Sequence, residues 1–235
     1  LDEAEAAYMS TLEEIYPTYY NKEEDKVENL VSEKSENIYY KEKVDEVKVV
    51  IPVFPGTNSE YDTQKAFEEA GAVVIQVVFT NTKEDDIEKS IDAFVKEIKS
   101  SHIIAFPGGF SAGDEPDGSA KFIVNILKND KVKEAIHAHL ADKKLILGIC
   151  NGFQALIKSG LLPYGKIRDL GEDDLSLFRN VGFRHISDTV ITRVASTKSP
   201  WTQGFEINDL HELVVSHGEG RLVGNNIEKF KHLAA

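Results

Sequence analysis

The stretch Lys144–Ile157, KLILGICNGFQALI, decides how this chain folds. Residues 145–149 are all apolar or glycine, a pattern that predicts a short strand buried on both faces of a parallel sheet. Residues 151–157 predict a helix. The one cysteine of the chain, Cys150, therefore lies where a strand turns sharply into a helix.

Small residues flank this turn, with Gly148 two positions before Cys150 and Gly152 two positions after it. Gly-x-Cys-x-Gly is the cysteine form of the nucleophile elbow. The N-terminus of the following helix would stabilise a thiolate, and the N–H of Asn151 is placed to bind an oxyanion. The alternative for a lone cysteine is a small buried apolar side chain. The two spaced glycines favour the nucleophile.

Composition limits the classes of protein to consider. A chain of 235 residues with 41% hydrophobic content can form one large domain with an appendage. A single cysteine excludes an internal disulfide and predicts a cytoplasmic protein. No apolar run reaches the roughly 18 residues that span a bilayer. The net charge of −13 argues against nucleic acid or an anionic membrane as a partner.

The acidic charge is concentrated in residues 1–46, which hold 14 acidic and 5 basic side chains. Their apolar spacing predicts a short helix that ends before Pro17, followed by a polar linker. We predict that this segment extends from the domain or lies on its surface. The domain itself is predicted to span residues 47–235.

Strands and helices alternate through the first two thirds of that domain. The pattern predicts strands at 47–54, 72–79 and 102–106 and helical stretches at 60–70, 84–100 and 120–140. Such alternation predicts an α/β fold with a doubly wound, mostly parallel sheet. Pro52 within the first strand suggests a bulge or an unpaired position. After residue 161, predicted strands at 181–194 and 213–216 indicate a small antiparallel excursion near the sheet edge.

Candidate site residues follow these strands. Asn58, the 108–111 loop and Cys150 each come directly after a predicted parallel strand, and the carboxyl ends of such strands meet at one edge. His217 and Glu219 follow another strand, which we expect to end on the same side of the sheet as Cys150. The seven histidines share no metal-ligand spacing, so we predict no metal site.

Several motifs together resemble a known family. They are Phe54–Asn58 (FPGTN), Phe106–Asp114 (FPGGFSAGD), Leu147–Gln154 (LGICNGFQ), Gly160–Pro163 (GLLP) and Ser216–Gly220 (SHGEG). In this order they resemble the class I glutamine amidotransferase domain of phosphoribosylformylglycinamidine synthase. Ser199–Trp201 and the pattern Asn180…Arg184-His185 further resemble the large single-chain form of that enzyme.

The resemblance implies a flavodoxin-like fold and hydrolysis of glutamine through a thioester on Cys150. It places oxyanion or glutamine binding on a set of neighbouring residues: Gly108, Gly109, Phe110, Asn151 and Gln154. The ammonia would pass to an ATP-dependent synthetase, the expected partner, with residues 1–46 as its linker or tail. No cofactor is implied in this chain, since it has no complete Gly-x-x-x-x-Gly-Lys-Ser/Thr loop. ATP and Mg would bind the synthetase part.

One departure from the family concerns its catalytic histidine and glutamate, which lie in a His-Pro-Glu-like motif near the end of the domain. This sequence contains no such motif. We therefore expect a C-terminally truncated domain that is inactive in isolation. Asn58, His217 and Glu219 are secondary candidates, and the role of general base is not transferred to His217.

Two other readings stay open. One is a cysteine-elbow domain of the DJ-1/PfpI type, against which the Gly-Gly-Phe-Ser loop and the Asn-Gly-Phe-Gln sequence after the cysteine both argue. The other is a non-catalytic docking module that only contacts the synthetase. A fold alone does not separate these functions. Labelling of Cys150 by a glutamine-analogue electrophile would separate the glutaminase from these alternatives.

Overall fold

A computed structural model describes residues 2–11, 44–112 and 119–225 of the chain. The described residues form two compact units. The larger comprises 44–112, 119–177 and 222–225, and the smaller comprises 2–11 and 178–221. The predicted linker at 21–46 and the end of the first predicted helix lie almost wholly outside the described residues. Of the predicted helix, α1 is seen at Asp2–Ser10.

A four-stranded parallel sheet forms the centre of the larger unit. Its strands are β1 (Lys48–Val53), β2 (Val73–Val78), β3 (Ile103–Phe106) and β4 (Leu145–Gly148). They are arranged in the order β2-β1-β3-β4, with every pair parallel. The predicted α/β fold with a mostly parallel sheet is confirmed.

Helices connect the strands as the alternation predicted. They are α2 (Glu60–Glu69), α3 (Asp86–Ser100), α4 (Lys121–Lys128), α5 (Asp130–Ala141), α6 (Asn151–Lys158) and the short α7 (Leu161–Tyr164). Gly71 follows α2 with φ of 88°, a left-handed conformation that suits glycine and ends the helix.

Both faces of the sheet are covered, because side chains alternate along each strand. On one face, Val50 and Ile104 belong to a large core with apolar residues of α3, α4, α5 and α6. On the other face, Val49, Ile51 and Ala105 form a smaller core against Phe67 of α2. The sheet is thus doubly wound.

A row of phenylalanines runs through the larger core. Ring centroids are 4.7 Å apart for Phe54 and Phe79, 5.6 Å for Phe79 and Phe94, and 6.4 Å for Phe94 and Phe106. The last two pairs meet edge to face, a favoured aromatic arrangement. Phe54 and Phe106 lie at the ends of β1 and β3, so the row supports the backbone that leads into the candidate site.

Two expectations about these elements are wrong. The single helical stretch at 120–140 is two helices, separated at Asn129, whose φ of −58° and ψ of 132° are not helical. The side-chain oxygen of Asn129 accepts a hydrogen bond from Lys131 N at 3.1 Å and caps α5. Strand β4 is half-buried and not buried on both faces, because among the described residues it is an edge strand.

Pro52 fits into β1 without a bulge. The register of β1 with β2 is continuous through Pro52. Lys48 O accepts from His102 N on the β3 side, and alternate residues of β1 share that side, so Pro52 faces β3. Pairing with β3 ends at Val50, two residues earlier. The missing N–H of proline therefore interrupts no hydrogen bond. Of the two alternatives that the sequence suggested, the unpaired position is correct and the bulge is not.

The smaller unit contains an antiparallel pair, β6 (Ile186–Arg193) and β7 (Leu210–His217). The predicted antiparallel excursion is confirmed. Strand β7 pairs with β6 in a sheet of its own and is not part of the central sheet. That it ends on the same side as Cys150 stays a prediction. Strands β5 (Ser176–Phe178) and β8 (Arg221–Val223) form a further two-stranded sheet that was not predicted.

Of the helices in the described ranges, none combines the length and the apolar character needed to cross a membrane.

Candidate active site

Three loops meet at the carboxyl ends of β1, β3 and β4. The first two are joined by an isolated antiparallel bridge between Thr57 and Gly109. Its hydrogen bonds come from the flanking residues: Asn58 N donates to Gly108 O at 3.4 Å, and Phe110 N donates to Gly56 O at 2.9 Å. Thr57 and Gly109 are thus a non-hydrogen-bonded pair, and the N–H of Gly109 points away from the bridge.

Cys150 occupies the third loop in a strained backbone conformation. It is the N-cap residue of α6, with φ of 50° and ψ of −106°. L-residues rarely adopt this region, and holding one there costs about 1–3 kcal/mol. The residue is exposed to solvent. This is the geometry of a nucleophile elbow, and it excludes the alternative of a buried structural cysteine.

Close packing explains the glycines on either side of the elbow. A Cβ on Gly148 would lie 2.7 Å from Leu156 Cδ1 of the following helix. A Cβ on Gly152 would lie 2.1 Å from the carbonyl oxygen of Phe106 in β3. The N–H of Gly152 also donates to Pro107 O at 3.1 Å. The first turn of α6 is therefore pressed against the end of β3, which leaves Cys150 at the tip.

The glycine loop after β3 lies directly beside the cysteine. A Cβ on Gly108 would lie 3.3 Å from Cys150 Cβ. Gly109 has φ of 133°, and a Cβ there would lie 2.6 Å from Gly56 O. Gly109 leaves room only for backbone, and a side chain at Gly108 would be closely packed. An oxyanion site formed by peptide N–H groups of this loop stays a prediction.

Asn151 and Gln154 are buried beneath the elbow. Asn151 Oδ1 accepts a hydrogen bond from Ser111 N at 3.3 Å, and Asn151 Nδ2 donates to Gln154 Oε1 at 3.0 Å. The side chain of Asn151 thereby joins α6 to the glycine loop. Phe110, in contrast, is 58% exposed. Binding of glutamine or of an oxyanion by these residues stays a prediction.

Asn58 is exposed and contributes its backbone N–H to the bridge with Gly108. This contact involves only the backbone of Asn58, so it assigns no role to the side chain. The sequence did not single out Ser59, the next residue, although its hydroxyl accepts a hydrogen bond from Gly108 N at 2.9 Å. No spacing pattern could have found this contact, because 49 residues separate the two.

His217 and Glu219 belong to the smaller unit. His217 Nδ1 lies 3.0 Å from Asn180 Oδ1, and Asn180 Nδ2 donates to the carbonyl oxygens of Arg184 and His217. The amide oxygen of Asn180 can only accept, so Nδ1 of His217 carries the proton. In the neutral ring, Nε2 is left as an acceptor. The partner that orients His217 is thus Asn180, which sequence reasoning had not assigned to it.

The ring of His217 also explains a glycine of the SHGEG motif. A Cβ on Gly220 would lie 2.3 Å from His217 Nδ1, so the ring packs directly on the backbone of Gly220. Glu219 is buried, with 7% of its surface exposed.

An exposed cysteine with positive φ, set between a parallel strand and a helix and beside a glycine loop, defines an α/β protein with a cysteine nucleophile elbow. The chain belongs to the family of CobB/CobQ-like glutamine amidotransferase domains, whose model matches residues 46–235.

Relatives of the chain include subunits of phosphoribosylformylglycinamidine synthase. It is 34% identical over 170 residues to the phosphoribosylformylglycinamidine synthase subunit PurQ of Roseobacter denitrificans, covering 72% of this chain and 64% of that protein. It is also 34% identical over 174 residues to PurQ of Campylobacter jejuni, covering 74% of this chain and 64% of that protein. The chain thus spans less than two thirds of the length of these curated relatives.

A solved structure shares the fold. The structure of PurLQS from Thermotoga maritima matches with a TM-score of 0.56 and 27% sequence identity, covering 76% of this chain and 70% of that one.

Proposed function

We propose that this chain is the glutaminase part of a phosphoribosylformylglycinamidine synthase in de novo purine biosynthesis. The observation that carries the proposal is the conformation of Cys150, exposed at φ of 50° beside Gly108 and Gly109. Membership of the amidotransferase family and the similarity to the PurQ subunits support it.

The proposed chemistry begins with attack of Cys150 Sγ, as thiolate, on the side-chain amide carbon of glutamine. The new C–S bond places negative charge on the amide oxygen, and the N–H groups of Gly109 and of Asn151 at the start of α6 are the proposed donors to it. The base that took the proton of the thiol then returns it, as the conjugate acid, to the amide nitrogen. The C–N bond breaks, ammonia leaves, and a glutamyl thioester remains. Water attacks the thioester, releases glutamate and restores the thiol.

The proposed partner is an ATP-dependent synthetase that receives the ammonia. ATP and Mg would bind to the synthetase, and this chain would supply only ammonia. The relatives carry the word subunit in their names, whereas Ser199–Trp201 resembles the large single-chain form. We favour the single-chain form on that resemblance.

The proton acceptor is the part of the mechanism that we leave unassigned. The 235-residue sequence has no His-Pro-Glu motif. Loss of a triad member in other enzymes costs on the order of 10⁴ to 10⁶ in turnover. We therefore expect the chain by itself to release little glutamate, and we expect an amidotransferase that has this motif, docked to its synthetase, to release it readily.

Covalent labelling tests the proposal. The diazoketone 6-diazo-5-oxo-L-norleucine carries a ketone where glutamine has its side-chain amide. We expect it to modify Cys150 once per chain by mass spectrometry, with protection by glutamine and no labelling of Cys150→Ser. A cysteine elbow of the DJ-1/PfpI type would react with iodoacetamide but not with this analogue, and that outcome would overturn the proposal.

A second assay tests the expected inactivity. Glutamate release is measured for the chain alone and for His217→Ala. Robust release by the chain that is lost in the variant would show that His217 is the base.

A further inference from the structure

Ser59 stands at the N-cap of α2 but does not cap it. Serine is a preferred N-cap because its hydroxyl oxygen accepts a hydrogen bond from the first free N–H groups of the helix. Ser59, with φ of −123° and ψ of 21°, makes no such bond. Asn129, at the N-cap of α5, does make one, to Lys131 N at 3.1 Å. The hydroxyl of Ser59 therefore makes its hydrogen bond with a group outside α2.

That partner is the glycine loop beside the nucleophile. Ser59 Oγ accepts a hydrogen bond from Gly108 N at 2.9 Å. A Cβ on Gly108 would lie 3.2 Å from Ser59 Oγ and 3.3 Å from Cys150 Cβ. The hydroxyl of Ser59 and the side chain of Cys150 thus both lie against Gly108, in the same unit.

Between described residues, two hydrogen bonds hold Gly108, and the bond to Ser59 is the shorter. The other joins the carbonyl oxygen of Gly108 to Asn58 N, at 3.4 Å. Two consecutive glycines can rotate their shared peptide at little steric cost. A contact that fixes the N–H of Gly108 therefore also limits how the next peptide, which carries the N–H of Gly109, can turn.

We propose that Ser59 is a positioning residue for the oxyanion site: by occupying the N–H of Gly108, its hydroxyl fixes the loop so that the N–H of Gly109 faces the substrate oxygen. The inference rests on the proposed glutaminase function. Ser59 acts through Gly108, and no contact of Ser59 with substrate is required.

The test compares two electrophiles on the full chain. The diazoketone 6-diazo-5-oxo-L-norleucine alkylates the thiol with loss of N₂, and its ketone oxygen would occupy the oxyanion position. Iodoacetamide alkylates the same thiol without using that position. For Ser59→Ala we expect the maximal rate of diazoketone labelling to fall about tenfold, since small displacements of an oxyanion donor have large kinetic effects. The half-saturating concentration and the iodoacetamide rate should stay unchanged.

Two matched variants separate positioning from stability. Ser59→Thr retains the hydroxyl and should restore labelling by the diazoketone. Asn129→Ala removes a true helix cap and should lower the thermal midpoint while leaving the ratio of the two labelling rates at the wild-type value. Equal slowing of both electrophiles in Ser59→Ala, or no rescue by Ser59→Thr, would overturn the inference.

Hydrogen exchange gives a readout that does not depend on the reaction. Exchange at the amide of Gly108 should speed up in Ser59→Ala and stay slow in Ser59→Thr and Asn129→Ala. Unchanged exchange in Ser59→Ala would disprove the positioning contact. If wild-type chain reacts with iodoacetamide but never with the diazoketone, the proposed function fails instead.

Discussion

His139 of α5 donates a hydrogen bond from Nε2 to the carbonyl oxygen of Leu145, the first residue of β4, over 3.1 Å. This bond joins a helix to the strand that ends in the nucleophile elbow. The imidazole is buried, with 2% of the residue exposed. Burial lowers the pKa of His139 and outweighs the bond to Leu145, which raises it. The folded chain therefore favours the neutral ring.

Stability should consequently depend on pH through His139. Below the ordinary histidine pKa of about 6.5, the unfolded chain binds a proton that the folded chain resists. The free energy of unfolding should fall as pH drops from 7 towards 5. Urea unfolding at several pH values measures this. His139→Gln can retain a donor to Leu145 without titrating, and its pH dependence should be weaker. An identical slope in wild type and variant would contradict the assignment.

The elbow should not tolerate a side chain at Gly152. Alanine there would place its Cβ 2.1 Å from Phe106 O, which cannot move without distorting β3. We expect Gly152→Ala to lower the free energy of unfolding by about 1–3 kcal/mol, the usual cost of overpacking. Labelling of Cys150 by the glutamine analogue should slow as well.

Gly171→Ala is the control for that substitution. A Cβ at Gly171 meets its nearest atom, Asp174 Oδ2, only at 3.7 Å. Its unfolding curve and labelling rate should match the wild type. Equal losses in the two variants would mean that close packing at the elbow is not the cause.

The phenylalanine row should carry much of the stability of the larger unit. Phe94 is fully buried and contacts both Phe79 and Phe106. Phe94→Ala should lower the free energy of unfolding by about 3–5 kcal/mol. Phe110→Ala, at a position 58% exposed, should change it by less than about 0.5 kcal/mol. Denaturant titration of both variants checks the difference.

The sequence was sufficient for the elements whose pattern is local. Ile91, Phe94 and Ile98 recur at helical spacing and are buried in α3. The four parallel strands follow from apolar runs between such helices. The elbow was predictable too, because Gly-x-Cys-x-Gly is a motif of five consecutive residues, even though its glycines contact Leu156 and Phe106 outside the motif.

Other features depend on neighbours that a pattern does not contain. The apolar pattern continues across Asn129, so the break between α4 and α5 was not visible in it. An apolar run cannot tell a central strand from an edge strand, which is why β4 was expected to be more buried. Strands β5 and β8 have 3 residues each, too few to show a period.

The hydrogen-bond partners of the candidate residues in each unit were the least predictable. Ser59 with Gly108, and His217 with Asn180, are pairs separated by 49 and 37 residues. Each is a hydrogen bond between a side chain and a group brought near by folding. A sequence pattern records the residue types but not which of them meet.

The backbone angles of Cys150 place the thiol for reaction but lower the stability of the fold. At φ of 50° and ψ of −106°, glycine would have less backbone strain than cysteine. Cys150→Gly should therefore raise the thermal midpoint of the chain even as it removes the thiol. A substitution of Cys150 by glycine would stabilise the fold, so the cysteine is retained only where its thiol is needed. Lineages that stop using the reaction should lose this cysteine early, while the two flanking glycines persist.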